Sequence, residues 1–291
     1  MRLRRSARGG RGGFAAACRP YPPVRSGDLY NLHNPPKACE CRTVIGTFAP
    51  GTTFARLGSI LVVTALACSA THARAGFGIP SDSGARESAA QRYGRLGRDA
   101  CEGELRDRGI SFARVDEARG VLAPIRLVGP LHGVSFHTGL APSQRASSPW
   151  EIVDCRLALA LDDFAAQLSA HDVVEVVHYS IYRPPARQWP ADRIASRHPG
   201  GLAIDAASFN KQDGTRLDVE RDFHGRIGAA TCGPSAGPHP ATPAGVELRQ
   251  IVCDAAEARL FNVALTPNYN WKHRNHFHLE VATGVGWSMV H

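Results

Sequence analysis

The stretch SRHPGGLAIDAASF, residues 196–209, limits what this chain can fold into more than any other segment. Pro199, Gly200 and Gly201 in succession exclude a helix interior, since proline removes an N–H and glycine leaves the backbone too free. The segment therefore reads as a turn that runs into a strand, GLAIDAASF at 201–209. Asp205 stands inside that apolar strand. A buried carboxylate without a partner is costly, so Asp205 needs a compensating group. Taken alone, His198 reads as an exposed loop histidine. The two glycines between them, however, let the loop fold His198 back over the strand.

A second segment, WKHRNHFHLE, concentrates histidine near the C-terminus, with His273, His276 and His278. FHLEV at 277–281 reads as a strand, and the strand period of two puts His276 and His278 on one face and Phe277 on the other. Two imidazoles on one face suit a divalent metal. A catalytic zinc takes three protein ligands and keeps one position open. His198, Asp205 and one of the pair His276 and His278 would supply such a set.

The remaining pattern interleaves helices and strands. Residues 86–108 read as helical, with Gly94 and Gly97 as weak points, and 154–169 as an amphipathic helix with Leu157, Leu161, Phe164, Ala165 and Leu168 on one face. Short strands are expected at Ile125–Val128 and Val134–His137, and a longer one at 173–181, VVEVVHYSI, by its β-branched content. Asp213-Gly214 is a hairpin signal, and 245–263 reads as another helix. Glycine- and proline-rich loops fill 183–200 and 231–245. The fold class expected is α+β, a central antiparallel sheet flanked by helices.

Charge and leader signals divide the chain. Residues 1–75 carry 11 Lys and Arg against 2 Asp and Glu, whereas 76–291 carry 23 against 24. The formal charge of +8 therefore belongs to the N-terminal part. Without it no basic stripe remains, which argues against a nucleic-acid partner. Residues 1–54 are rich in Arg, Gly and Pro and read as a disordered or mis-assigned extension. Residues 55–75 have the form of a signal peptide: Arg56, an apolar run Leu57–Cys68, and Ala73-Arg74-Ala75 as cleavage pattern. The run is short of the ~20 residues a spanning helix needs, so no membrane span is expected after cleavage. The internal position of this signal suggests a true start near residue 55. Cys68 is disfavoured as a lipoprotein anchor, because Ala65 stands where leucine is usual. The exported part would comprise a lead-in at 76–100 and one domain at 101–291, periplasmic or secreted. Its four cysteines, Cys101, Cys155, Cys232 and Cys253, favour two disulfides in an exported chain. Four cysteines allow three pairings; Cys101–Cys155 with Cys232–Cys253 is the one favoured. The oligomeric state is not legible.

Ser196, His198, Gly201, Ala203 and Asp205 fit S-x-H-x-x-G-x-A-x-D. This resembles the first half of the zinc signature shared by D-Ala-D-Ala carboxypeptidases and dipeptidases, murein endopeptidases and hedgehog domains. His273, His276 and His278, as H-x-x-H-x-H, look like the second half in the penicillin-insensitive murein endopeptidase. The chain is more closely similar to the bacterial extensin-like C-terminal domain family over roughly 101–281. The likeness includes Cys101-x-x-x-Leu105-x-x-x-Gly109, Cys155 before its helix, Ser180-Ile181-Tyr182-Arg183, Phe209, Asp213-Gly214, Cys253 before Phe261, and Pro267-x-Tyr269-Asn270. That family usually has a cysteine beside the Arg of the Tyr-Arg pair; here Pro184 follows Arg183, and Cys232 would replace it as partner of Cys253.

The resemblance implies Zn²⁺ held by His198, Asp205 and His278, with His276 and His273 lining the reacting side as proton-transfer groups. It also implies Arg183 near the open position as an oxyanion donor, and Ser196 as a substrate-binding or loop residue. A glutamate often stands two or three residues before the last ligand in such peptidases; here that place holds His276, and Glu280 follows the ligand on the same face. The implied activity is zinc-dependent cleavage of peptidoglycan stem peptides, by a carboxypeptidase or endopeptidase. The alternative is a non-catalytic wall-binding module that retains the metal site.

Overall fold

The computed structural model describes residues 87–291. The N-terminal extension, the signal segment with Cys68, and residues 76–86 of the lead-in lie outside the described residues.

Two short helices open the structure, α1 (Ala89–Gly94) and α2 (Arg98–Asp107). The expected single helix over 86–108 is thus broken between Gly94 and Gly97. Gly94 packs so closely on the Ala282 carbonyl that a Cβ there would lie 2.8 Å from its oxygen. Next come β1 (Phe112–Arg114), β2 (Pro124–Leu127), β3 (Ser135–Thr138), the turn of helix α3 (Pro142–Arg145) and β4 (Val153–Asp154). The central helix α4 (Cys155–Ser169) precedes β5 (Val173–His178), β6 (Ala203–Lys211) and β7 (Arg216–Asp218). The short α5 (Val219–Asp222), then α6 (Pro243–Glu257), β8 (Val263–Leu265), β9 (Phe277–Glu280) and β10 (Met289–Val290) complete the chain. Helix α6 is shorter than the expected 245–263 at its C-terminal end. Arg259, at φ 49°, turns the chain there and frees Val263 to begin β8. Among the described residues no helix is long and apolar enough to cross a membrane.

The strands form a three-stranded sheet, β1-β2-β4, and a larger sheet in the order β10-β8-β9-β6-β5-β3, with β7 paired to β6. The inner pairs β5–β6, β6–β9 and β8–β9 are antiparallel as expected. The two edge pairs, β3–β5 and β10–β8, are parallel. For β3–β5 the reason lies in the connection: helix α4 crosses over between them, and a crossover returns a strand parallel to its neighbour; β10 reaches β8 by way of the antiparallel β9. The Asp213-Gly214 hairpin forms, with Gly214 at φ 88° and Thr215 N–H donating to Asp213 Oδ1.

One face of the large sheet packs on α4 and α6. Phe164 of α4 meets Phe209 and Phe261 edge to face at 6.3 and 5.5 Å, and Phe277 sits 5.7 Å from Phe209. Leu157, Leu161, Phe164 and Leu168, the apolar face read from the sequence, are buried in this core. Both disulfides have the favoured pairing, Cys101–Cys155 joining α2 to the start of α4 and Cys232–Cys253 joining a loop to α6. The described part of the lead-in belongs to the packed body. Tyr93 of α1 is fully buried, donates its hydroxyl hydrogen to Asp163, and accepts from Arg108 Nη2 at 2.7 Å. Arg108 also binds Asp162 at 2.9 Å, so α1, α2 and α4 are tied by one polar knot.

Burial, with the bond to Asp163, pushes the Tyr93 phenol up to about 12 from an ordinary value near 10. The folded state therefore holds this proton more tightly than the unfolded chain. Its stabilising contribution is complete below about pH 10 and is lost as pH rises toward about 12. Alkaline unfolding followed by circular dichroism should fall across that window, and Tyr93→Phe should flatten the fall.

Candidate metal centre

The site lies on the face of the large sheet opposite α4. Asp205 of β6 is directly paired with His278 of β9, so their side chains are neighbours across the ladder. Ile204 and Leu279, the next pair, turn into the core. A bulge sharpens this division. The β5–β6 register shifts between Val177, opposite Ser208, and His178, opposite Ala206, so Ala207 is the extra residue. A bulge reverses side-chain alternation beyond it. Ile204, Ala206 and Phe209 can therefore all enter the core while Asp205 faces the site.

His198 arrives from the loop. It opens one turn of 3-10 helix, His198–Gly200, entered through Arg197 at φ 55° and left through Gly201 at φ 65°. Both glycines answer a steric demand. A Cβ on Gly200 would lie 2.2 Å from the Ala195 carbonyl oxygen, and one on Gly201 would lie 2.9 Å from the Asp154 nitrogen. The Arg183 N–H donates to the His198 carbonyl at 3.1 Å, fixing the turn against the segment after β5.

His198 Nε2, Asp205 Oδ1 and His278 Nδ1 form a nearly equilateral triangle with sides of 3.0, 3.0 and 3.2 Å. All three residues are buried. Nitrogen and oxygen ligands about 2.0–2.1 Å from a tetrahedral ion stand roughly 3.3 Å apart, so the triangle is close to one face of such a tetrahedron. The far nitrogen of each imidazole is also engaged. His198 Nδ1 donates to the Ile181 carbonyl at 2.8 Å, which leaves Nε2 to face the site. His278 Nε2 lies 3.2 Å from Glu280 Oε2, which turns Nδ1 inward. Outer carbonyl and carboxylate partners of this kind fix tautomer and ring orientation at metal sites. Two imidazoles and one carboxylate form a group able to hold a divalent ion.

The electrostatics agree with that geometry. Burial opposes ionisation of Asp205, yet hydrogen bonds to His198, His276 and His278 outweigh it and hold the carboxyl far below its ordinary range. Burial likewise opposes charge on His278, but Asp205 and Glu280 on its two nitrogens raise it above the usual histidine value. A cation taking Nδ1 must displace a proton from the charged form.

The other residues singled out from the sequence are gathered around this triangle to different degrees. His276 Nε2 lies 3.3 Å from Asp205 Oδ1, and its ring meets Tyr179 at 5.9 Å. His273 packs 5.2 Å from His276 and 5.8 Å from His278, with Nδ1 held by Asn270 at 2.8 Å. Burial, with His276 and His278 beside it, pushes His273 down to about 4. Arg183, half exposed, reaches Asp205 Oδ2 at 3.1 Å. Ser196 is exposed on the loop; its carbonyl accepts from Gly200 N–H, and no hydrogen bond joins its hydroxyl to the site among the described residues. Sequence reading left two contributors without a role, the Ile181 carbonyl and Glu280. Glu280 shares the strand face of His276 and His278, and that period was the signal for it; a backbone carbonyl leaves none.

Gly200→Ala should collide with the Ala195 carbonyl and displace His198. The expected cost is about 2 kcal/mol or more of stability, together with a loss of divalent-metal affinity. Thermal melting and competition with a chromophoric chelator measure the two effects.

Comparison with curated proteins and with solved structures found no match. The model of one protein family, Extensin-like protein C-terminus, matches residues 100–290, which contain every residue of the triangle and both disulfides. The chain therefore belongs to the Extensin-like protein C-terminus family.

Proposed function

We propose that the protein is a zinc-dependent hydrolase that acts outside the cytosol on the stem peptides of peptidoglycan. The observation that carries this reading is the buried His198–Asp205–His278 triangle, with each imidazole oriented by an outer partner. The resemblance of S-x-H-x-x-G-x-A-x-D and H-x-x-H-x-H to murein-active zinc peptidases supports the substrate class. Two disulfides suit an oxidising compartment.

Zinc held by His198, Asp205 and His278 would supply a Lewis acid for an amide carbonyl and acidify a bound water to about pKa 7. The chain supplies the rest. His276 lies beside the triangle, where it can take a proton and return it to a leaving amine. His273, pushed down to about 4 by burial and by His276 and His278, packs 5.2 Å from His276, where it can assist that proton transfer. Arg183 binds the outer oxygen of Asp205 and, being half exposed, also offers N–H groups to an anionic oxygen at the rim. Ser196 lies exposed on the His198 loop, open to a bound peptide.

One observation favours a second reading, a wall-binding module that keeps the metal without cutting. Asp205 and Glu280 are both committed to histidines, so neither is a free carboxylate base. Turnover separates the two. Zinc-loaded protein should release peptide fragments from purified sacculi. His198→Ala should lose both zinc and release, and His276→Ala should keep zinc while release falls ~100-fold or more. Stoichiometric zinc with no fragments selects the binding module; failure to bind zinc overturns both readings.

Glu280→Gln removes the carboxylate that orients His278. Zinc affinity should fall about 10- to 100-fold, read by chelator competition, with the fold intact by circular dichroism.

A further inference from the structure

Arg249, in the middle of α6, is only 6 % exposed, yet its charge has no carboxylate partner among the described residues. Its Nε and Nη1 make no hydrogen bond, and Nη2 has only the His224 carbonyl at 3.5 Å. The guanidinium lies 4.3 Å over the Phe223 ring. The similarly buried Arg156 is a contrast, for it grips Asp154 at 2.8 Å. A buried cation without an anion is among the costlier arrangements a fold can hold.

The position of Arg249 gives that charge a use. It borders a cavity of about 690 Å³ whose lining also includes His224, Arg226, Ser235 and His239, and no aspartate or glutamate. Arg226 has no ion pair among the described residues, so two unneutralised guanidinium groups face one concavity. Glycines 225, 228 and 237 in the lining bring backbone close to the cavity without side chains in the way. The wall is pinned, since Cys253 follows Arg249 by one helical turn and is cross-linked to Cys232 on the loop. None of His198, Asp205 or His278 lines this cavity.

We infer that this cavity is an oxyanion-binding site for a ligand bearing a carboxylate, phosphate or sulfate group. Arg226 meets the anion at the open side, and Arg249 supplies the buried charge beneath it. Guanidinium forks match such groups with charge-assisted hydrogen bonds.

The test is thermal melting of the full chain with phosphate, sulfate or acetate, at ionic strength matched with chloride. At least one oxyanion should raise the melting temperature saturably beyond chloride. A response to acetate assigns a carboxylate ligand; a response to phosphate or sulfate assigns a tetrahedral one. Arg226→Gln, an exposed change, should weaken that binding about tenfold while zinc affinity stays as in the parent. Arg249→Met should abolish the response; if that variant does not fold, Arg226→Gln decides. The inference is overturned if no oxyanion exceeds chloride, or if either folded variant binds as the parent does.

Discussion

The negative charge of Asp205 is the constraint around which this structure is organised. It sits 4 % exposed in the middle of a sheet, where a lone carboxylate would be driven to its neutral form. Three imidazoles and one guanidinium keep it ionised instead. The donors come from separate segments: His198 from a loop, His276 from the residue just before β9, His278 from within β9, and Arg183 from the segment beyond β5. Their convergence fixes the β6–β9 register, because a slip of one residue would send His278 into the core and Leu279 into the site. The charge and the strand pairing therefore specify each other.

The sheet works as a partition. Its helical side is a dry aromatic core centred on Phe164, Phe209 and Phe277. Its other side holds polar residues close to metal-ligand geometry. The bulge at Ala207 lets one strand serve both sides over most of its length. Rigidity on the core side is useful on the site side, since ligands mounted on strands hold their positions better than ligands mounted on loops. His198 is the exception, and it is the member of the triangle whose backbone is most constrained, by Gly200, Gly201 and the left-handed Arg197.

Much of this was legible in the residues. Local rules of period and propensity placed α4, the hairpin at Asp213-Gly214 and the common face of His276 and His278. The cost of a buried Asp205 pointed to partners, and the two histidine-bearing segments named them. What escaped depended on chain segments distant in sequence. The parallel edge pairs follow from the connections, the α4 crossover for β3–β5 and the route through β9 for β10–β8, which period cannot reveal. The break between α1 and α2 falls between the two weak points read from the sequence, Gly94 and Gly97, but the close approach of Gly94 to Ala282 carries no local signal. The Ile181 carbonyl has no side-chain signature at all. Nothing in the sequence marks Arg249, because its isolation comes from what the fold leaves out around it.

The disulfide Cys101–Cys155 and the His198 turn are separated by a single residue's backbone. The Gly201 carbonyl accepts from the Asp154 N–H at 2.9 Å, and Asp154 also caps α4 at Arg156. Cys155, the next residue, is the disulfide partner of Cys101. The cross-link thus anchors the strand end on which the glycine turn rests. The disulfide and the seat of His198 are thus mechanically linked through one backbone hydrogen bond, so strain at either end is felt at the other.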